Sequence, residues 1–300
     1  MSREQETIFD QYMFYSGRRD FTPAPALPGT KMLVDLPYLN DDGQVRLSDL
    51  VFPQNVRKPY PVILDVHGGG WVYGSKEINR SYASHLASKG FAVLVIDYTP
   101  AIHDDLIRQV KDVLAAMTWL KKNAAQYSLD TDRVFLCGDS AGAHLALLSY
   151  IVGRSETLRL VYGAKPQELE VKAFGLVSPV TDLRFFTDSV QPLQRKFRKR
   201  LFGDNYAESP LRYCTSIADV LRTVMHLPSV YIVSSEDDFF RNQSVQLHHV
   251  LTRRNVENQL RYYPAVQESS LPHSFPVLHP YLPESKAVND EMLAFFRSHS

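Results

Sequence analysis

Several features that would place the chain in a special class of protein are scarce or missing from its 300 residues. It has only two cysteines, Cys137 and Cys214, which excludes a disulfide-rich scaffold and fits a reducing compartment. Lysine plus arginine equals aspartate plus glutamate at 33 each, so no overall electric field attracts nucleic acid or an anionic membrane. No stretch approaches about 18 uninterrupted apolar residues, which excludes a conventional membrane-spanning helix.

Signals for export and for metal binding are missing as well. Residues 1–6 are polar and contain no apolar run that resembles a signal peptide, so we expect a cytoplasmic protein. Metal-ligand spacings such as His-x-x-x-His or Cys-x-x-Cys do not occur, and no metal is expected. The adjacent His248 and His249 would point to different faces of a helix and would not form a chelating pair.

Apolar runs of strand length alternate with amphipathic segments of helix length along most of the chain. Residues 104–123 carry apolar side chains at spacings of three and four, which is typical of a helix packed on one face. Strands that alternate with helices predict an α/β protein with a mostly parallel sheet covered on both faces. The predicted strands are residues 45–52, 62–66, 91–96, 134–137, 173–178, 230–234 and 259–263.

Residues 134–145 predict a buried strand, a sharp turn and a helix. The turn has the pattern Gly-x-Ser-x-Gly, from Gly138 to Gly142, with Ser140 at its centre. In a nucleophile elbow, the small flanking residues let strand and helix approach closely, and the serine is held in a strained conformation above the sheet. The five-residue pattern often occurs by chance, but the apolar strand and helix around it favour an elbow over an incidental serine.

A second predicted strand, residues 62–66, ends in the sequence His-Gly-Gly-Gly-Trp at residues 67–71. Glycines let backbone N–H groups point into a cavity, where each donor to an oxyanion typically lowers a reaction barrier by about 3–4 kcal/mol. We predict that the N–H groups of Gly69, Gly70 and Ala141 form an oxyanion hole. A phosphate-binding loop would end in Gly-Lys-Ser/Thr or match Gly-x-Gly-x-x-Gly, and this loop does neither.

Together, the motifs at residues 67–71 and 138–142 resemble the paired motifs of the hormone-sensitive-lipase-like esterases, which belong to the α/β-hydrolase superfamily. The resemblance extends from about Val45 to the C-terminus. It implies the α/β-hydrolase fold, a Ser-Asp-His triad, hydrolysis of carboxylic esters and no cofactor.

A serine hydroxyl is a weak nucleophile until a histidine takes its proton and a carboxylate orients that histidine. In α/β-hydrolases the order along the chain is serine, acid, histidine. The acid candidates follow the predicted strand at residues 230–234 and are Glu236, Asp237 and Asp238. In the resembling family an apolar pair follows the acid, which favours Asp238 and leaves Asp237 as its main rival.

The candidates for the base follow the last predicted strand and are His273, His279 and His299. His273 lies in a loop where the base of such a triad is expected, and family members carry a His-x-Phe sequence here, so His273 is the predicted base. His279 is expected to be structural, and His299 is too close to the C-terminus. We expect His67 to support the glycine loop and His144 to pack against the sheet.

We expect one α/β-hydrolase domain over residues 1–300 with two additions. Residues 1–30 combine a short amphipathic segment with a proline-rich linker, and the resemblance implies a part of a lid, although a plain edge helix is equally compatible. Residues 183–228 are longer than a single crossover helix needs and are expected to be a cap insertion. The basic run at residues 195–200 is either a solvated helix face or a surface for an acidic partner or substrate.

The expected function is therefore that of a carboxylesterase, a serine hydrolase that cleaves small-molecule esters of short acyl chains through an acyl-enzyme. The same triad in an amide or aryl-ester hydrolase, of formamidase or feruloyl-esterase type, is the alternative. A ligand-binding protein on an inactive hydrolase fold is a third hypothesis. Long-chain lipase activity is not expected, because the cap is charged. The resemblance also allows a homodimer.

Overall fold

The computed structural model describes residues 27–41, 43–188, 192–265 and 270–300. The helix predicted within residues 1–19 and most of the segment 1–30 lie outside the described residues.

Eight strands form one sheet in the order β1-β2-β4-β3-β5-β6-β7-β8. Strands β1 and β2 form an antiparallel hairpin, β2 is antiparallel to β4, and the other neighbours are parallel. The predicted α/β class with a mostly parallel sheet is confirmed. The strands are β1 (Thr30–Asp41), β2 (Gln44–Pro53), β3 (Tyr60–Val66), β4 (Ala92–Ile96), β5 (Leu129–Asp139), β6 (Ala173–Val177), β7 (Ser229–Ser235) and β8 (Asn258–Tyr263).

Helices follow most strands and lie on both faces of the sheet. In the described residues the α-helices are α1 (Arg80–Ser88), α2 (Leu106–Tyr127), α3 (Ala141–Arg154), α4 (Glu156–Tyr162), α5 (Arg184–Thr187), α6 (Pro192–Phe202), α7 (Ile217–Val220), α8 (Arg241–Arg253), α9 (Phe275–Leu278) and α10 (Pro283–Ser298). Short 3-10 helices cover Lys76–Asn79, Tyr206–Glu208, Pro210–Tyr213 and Leu221–Thr223. None of these helices is both long and apolar enough to cross a bilayer.

Two apolar layers cover the sheet, because side chains alternate between the faces of a strand. In β3, Val62 and Leu64 belong to one layer, which also receives α2 and α3. The neighbouring Ile63 belongs to the other layer, which is completed by α1 and α10. Each of these three β3 side chains is fully buried, which explains why the strand is a continuous apolar run.

The sequence analysis missed strand β1 and the first residues of β5. Strand β1 lies at the edge of the sheet, contains Pro37 and has two register irregularities against β2, so it lacks a regular apolar alternation. The elbow strand was predicted to begin at residue 134, but β5 already begins at Leu129. The register of β5 against β3 shifts between Pro61 and Val62, so the polar residues 130–133 form an irregularity within the strand.

Residues 178–228 connect β6 to β7 with short helices rather than one crossover helix. Several of their apolar side chains are buried in the same layer as α2 and α3, among them Phe186, Leu201 and Ile217. This irregular segment contains the predicted cap insertion 183–228, whose role as a cap stays a prediction.

Candidate active site

The turn between β5 and α3 has the conformation expected of a nucleophile elbow. Ser140 lies between the two elements with φ 52° and ψ −117°. A positive φ at a serine costs about 1–3 kcal/mol and persists only where the surrounding structure enforces it. A side chain at Gly142 would overlap the carbonyl oxygen of Val66, so glycine is needed for α3 to approach β3. The strained conformation predicted for Ser140 is therefore present.

The glycine loop follows β3 and is tied to the elbow by a buried hydrogen bond. The N–H of Gly68 donates to Oδ1 of Asp139 at 2.9 Å, and Asp139 directly precedes the elbow serine. Gly69 and Gly70 have φ values of 123° and 55°, which favour glycine. Because β3 and β5 are parallel neighbours, this loop and the elbow emerge at the same edge of the sheet.

The three predicted oxyanion donors all have backbone N–H groups without a carbonyl partner in the fold. Neither Gly69 nor Gly70 donates its N–H to a protein acceptor within the described residues. Ala141 is the first residue of α3, where an N–H has no acceptor inside the helix. These groups are therefore free to bind an external oxygen atom.

His67 supports the glycine loop as expected, whereas the hydrogen bond of His144 is to Trp71 at the end of that loop and its packing against the sheet stays a prediction. The Nδ1 of His67 donates to the carbonyl of Gly68 at 2.6 Å, and the ring stacks on Tyr98 with centroids 4.3 Å apart. His144 Nδ1 accepts a hydrogen bond from Trp71 Nε1 at 3.3 Å. Burial lowers the pKa of His67, and it lowers the pKa of His144 to about 3, so both rings are neutral.

The structure pairs His273 with Asp238. Nδ1 of His273 donates to Oδ1 of Asp238 at 2.7 Å, although 35 positions separate the two residues. Asp238 is fully buried, and it also accepts hydrogen bonds from the Phe240 N–H at 2.8 Å and the Ser234 hydroxyl at 3.2 Å. Burial works to raise the pKa of Asp238, but hydrogen bonds and the charge of His273 outweigh it and hold the pKa below its ordinary value.

The two neighbouring acids point elsewhere. Asp237 is exposed, and its Oδ2 accepts a hydrogen bond from the Leu271 N–H at 2.9 Å. Glu236 is also exposed and forms an ion pair with Arg241 at 3.4 Å. Of the three adjacent acids, only Asp238 is buried and hydrogen-bonded to the candidate base, which avoids the cost of burying several like charges together.

The free nitrogen of the His273 ring points into the protein rather than to solvent. Nε2 is buried and has no hydrogen-bond partner in the part of the chain that the structure describes, so no hydrogen bond joins it to the Ser140 hydroxyl. The segments of both residues nevertheless meet at the end of β6. The N–H of Ser140 donates to the carbonyl of Val177 at 2.9 Å, and the Ser274 N–H donates to Ser178 Oγ at 3.0 Å.

The other two candidate bases lie outside this arrangement. His279 is exposed, and its ring makes no hydrogen bond within the described ranges, so nothing in the structure supports a structural role for it. His299 Nε2 lies 3.0 Å from Oε2 of Glu257, and its Nδ1 contacts the carbonyl of Phe295.

Aromatic side chains surround the site, which the sequence analysis did not predict. The ring of Phe239 lies 4.3 Å from the ring of His273 and is 69% exposed. Phe185, which is 53% exposed, packs edge-to-face on Phe240. The adjacent Phe186 packs edge-to-face on Trp71 with centroids 5.9 Å apart. The Phe-Phe pairs at residues 185–186 and 239–240 were visible in the sequence as a signal. We name this set the aromatic wall: Trp71, Phe185, Phe186, Phe239 and Phe240.

A family model decides where the chain belongs. The BD-FAE model matches residues 48–251, which is more than half of the chain. The chain belongs to the BD-FAE family. The structure is similar to esterase B of Lactobacillus rhamnosis, with a TM-score of 0.82, 28% identity, and coverage of 99% of this chain and 92% of that one. The predicted resemblance to hormone-sensitive-lipase-like members of the α/β-hydrolase superfamily is confirmed.

Sequence relatives of this BD-FAE chain include further esterases. It is 27% identical to an acetyl esterase of Salmonella schwarzengrund over 89% of this chain and 81% of the relative. It is 24% identical to a putative alpha/beta hydrolase of Acanthamoeba polyphaga mimivirus over 78% of this chain. The chain spans 66% of the length of that viral relative and between 22% and 24% of the length of three other esterases.

No group of three or more histidine, cysteine, aspartate or glutamate side chains in the described ranges is arranged to hold a metal ion.

Proposed function

We propose that the protein is a carboxylic ester hydrolase with Ser140 as nucleophile, His273 as general base and Asp238 as its carboxylate partner. The observation that carries this proposal is the 2.7 Å hydrogen bond from His273 Nδ1 to the buried Asp238. That bond fixes the tautomer of His273 and leaves Nε2 free to accept a proton. The strained elbow at Ser140 and the esterases among the relatives support the same conclusion.

The reaction follows from the chemistry of these groups. The Ser140 oxygen attacks the ester carbonyl while its proton passes to His273 Nε2, and the charge of Asp238 stabilises the resulting imidazolium. The N–H groups of Gly69, Gly70 and Ala141 bind the oxyanion that forms. Collapse of this intermediate breaks the bond to the alcohol, which leaves with the proton from His273. A water molecule that His273 deprotonates then attacks the acyl-enzyme and releases the acid.

The proposed substrates are small esters with short acyl chains. The acetyl esterase relative supports a short acyl group. An aryl ester is the second candidate, because the exposed ring of Phe239 lies beside His273 and offers a flat apolar surface. A homodimer and a cytoplasmic location stay predictions.

The test compares the wild type with Ser140→Ala on p-nitrophenyl acetate, butyrate and octanoate and on one aryl ester of an aromatic acid. We expect the wild type to prefer the short esters and to be labelled by a fluorophosphonate probe, and Ser140→Ala to lose both properties. Ser149→Ala is the matched control, because Ser149 is a buried α3 serine whose hydroxyl has no partner in the described structure. Full turnover by Ser140→Ala, or no labelling of the wild type, would contradict the proposal.

A further inference from the structure

Ser178, the residue directly after β6, has an unusual backbone conformation. It is 2% exposed and has a φ of 47°, in the left-handed region that an ordinary L-residue rarely adopts. Backbone strain of this kind persists only where several contacts enforce it, and it is often found at functional sites. The contacts of Ser178 therefore need an explanation.

These contacts connect the segments that carry all three triad residues. The N–H of Ser178 donates to the carbonyl of Val233 at 2.8 Å, near the end of β7, the strand that leads to Asp238. Its hydroxyl oxygen accepts the N–H of Ser274, the residue after His273, at 3.0 Å. The residue before it, Val177, accepts the N–H of Ser140.

The hydrogen bond between Ser178 and Ser274 joins two strained residues. Ser274 is 1% exposed and has a φ of 58°, so the backbone that follows His273 is held in a conformation it would not adopt by itself. The imidazole carried by this backbone donates to the buried carboxylate of Asp238 at 2.7 Å, so the link between Ser178 and Ser274 acts on the geometry of that pair.

We propose that Ser178 is a positioning residue, whose hydroxyl holds the backbone beside His273 so that the imidazole keeps its hydrogen bond to Asp238. The residue acts through the imidazole of His273 and does not touch the substrate. The inference rests on the proposed function, since it assigns Ser178 a task within that triad. It predicts that the Ser178 hydroxyl affects the rate of the chemical step rather than substrate binding.

Ser234 provides a matched control. Its hydroxyl donates to the Asp238 carboxylate at 3.2 Å, and the residue is buried like Ser178. It lies within β7, and its hydroxyl makes no hydrogen bond to the backbone beside His273 among the described residues. Removal of the Ser234 hydroxyl therefore tests a donor to the carboxylate, and removal of the Ser178 hydroxyl tests the link to Ser274.

The experiment measures kcat and KM of Ser178→Ala, Ser178→Gly and Ser234→Ala with p-nitrophenyl acetate, and their thermal unfolding. Glycine tolerates the positive φ, so Ser178→Gly is expected to fold even if the alanine variant does not. We expect kcat to fall about 10- to 100-fold in both Ser178 variants with KM within about threefold of the wild type. Ser234→Ala is expected to lose less kcat than either Ser178 variant, because it removes one donor to the carboxylate and leaves the link between Ser178 and Ser274 intact.

A proton NMR measurement separates this inference from the proposed function. The proton between His273 Nδ1 and Asp238 should give a low-field resonance in the wild type, which should shift or disappear in folded Ser178→Gly and persist in Ser234→Ala. A Ser178→Gly variant with wild-type kcat and resonance overturns the inference, as does an equal loss in Ser234→Ala. If the wild type shows the resonance but cleaves no ester, the proposed function fails. The change of the resonance between the wild type and Ser178→Gly then still tests the positioning role of Ser178.

Discussion

Two groups of polar side chains, each with buried members, follow different rules in this protein. The first, which we call the ion cluster, consists of Asp49, Lys76, Glu77 and Arg80. Its charges are all paired, with Arg80 Nε 2.5 Å from Asp49 Oδ2 and Lys76 Nζ 2.6 Å from Glu77 Oε1. At the sheet edge where the parallel strands β5, β6 and β7 end, in contrast, the buried Nε2 of His273 has no hydrogen-bond partner in the described structure. Complete pairing stabilises a fold, whereas an open hydrogen-bonding position leaves room for chemistry.

The largest expected effect is at the open site. In Asp238→Asn the amide keeps the size of the side chain but neither orients the imidazole nor stabilises its positive charge, so we expect kcat to fall about 10⁴-fold. The midpoint of thermal unfolding should also fall, because the amide keeps the volume of the side chain but gives up the charge that the fold stabilises; activity measured on the folded fraction separates the two effects. Steady-state kinetics with p-nitrophenyl acetate measures the effect.

Asp237→Asn is the control for this prediction, because Asp237 is exposed and contacts the loop around Leu271 rather than His273. We expect it to keep kcat within about threefold of the wild type. A larger loss in Asp237→Asn than in Asp238→Asn would reverse the assignment of the acid.

The ion cluster should show the opposite pattern. Asp49→Ala leaves the cations of Arg80 and Lys76 without their buried partner, so we expect the free energy of unfolding to fall by about 3–5 kcal/mol. The kcat of the folded fraction should stay at the wild-type value. Urea denaturation measures the free energy of unfolding of the variant, and steady-state kinetics measures its kcat. An Asp49→Ala variant that is as stable as the wild type but inactive would contradict the proposed difference between the ion cluster and the open site.

Asp65 is intermediate, because it is buried with an amide partner rather than a cation. Asn79 Nδ2 donates to its Oδ2 at 2.8 Å. Burial, with a smaller contribution from the nearby Asp139, raises the pKa of Asp65 to about 7. The unfolded chain releases this proton near pH 4, so the stability of the fold decreases as the pH rises from about 4 to about 7.

Asp65→Asn removes this ionisation. We therefore expect it to raise the free energy of unfolding at pH 8 by about 1–2 kcal/mol, and to change it little at pH 4, where the aspartate is protonated in the fold. Urea denaturation at the two pH values measures the difference. A variant that is destabilised equally at both pH values would show that the effect does not depend on the ionisation of Asp65, which would contradict the raised pKa.

The smallest expected effect is at the aromatic wall. Phe239→Ala removes an exposed ring beside His273, so we expect KM for an ester of an aromatic acid to rise about five- to tenfold through loss of ring contact. The values for p-nitrophenyl acetate, kcat included, should change less. Equal effects on esters of aromatic and of aliphatic acids would argue against an aromatic subsite for the acyl group.

The local sequence determined the fold class, the elbow and the glycine loop. Each of these depends on neighbouring residues: an apolar run of strand length, a serine between two glycines, or glycines that directly follow a strand. Ser140, Gly69 and Gly70 were therefore predicted from spacing, because the conformation they require is set within a few residues of chain.

The tertiary structure decided what the spacing left open. Asp237 and Asp238 share almost the same sequence surroundings, and only the fold buries Asp238 against His273 while Asp237 stays exposed. The role of Ser178 could not be predicted either, because its partner is distant in the chain: 96 positions separate Ser178 from Ser274. Hydrogen bonds between distant segments depend on how the strands are ordered in the sheet, and no local pattern of residues encodes that order.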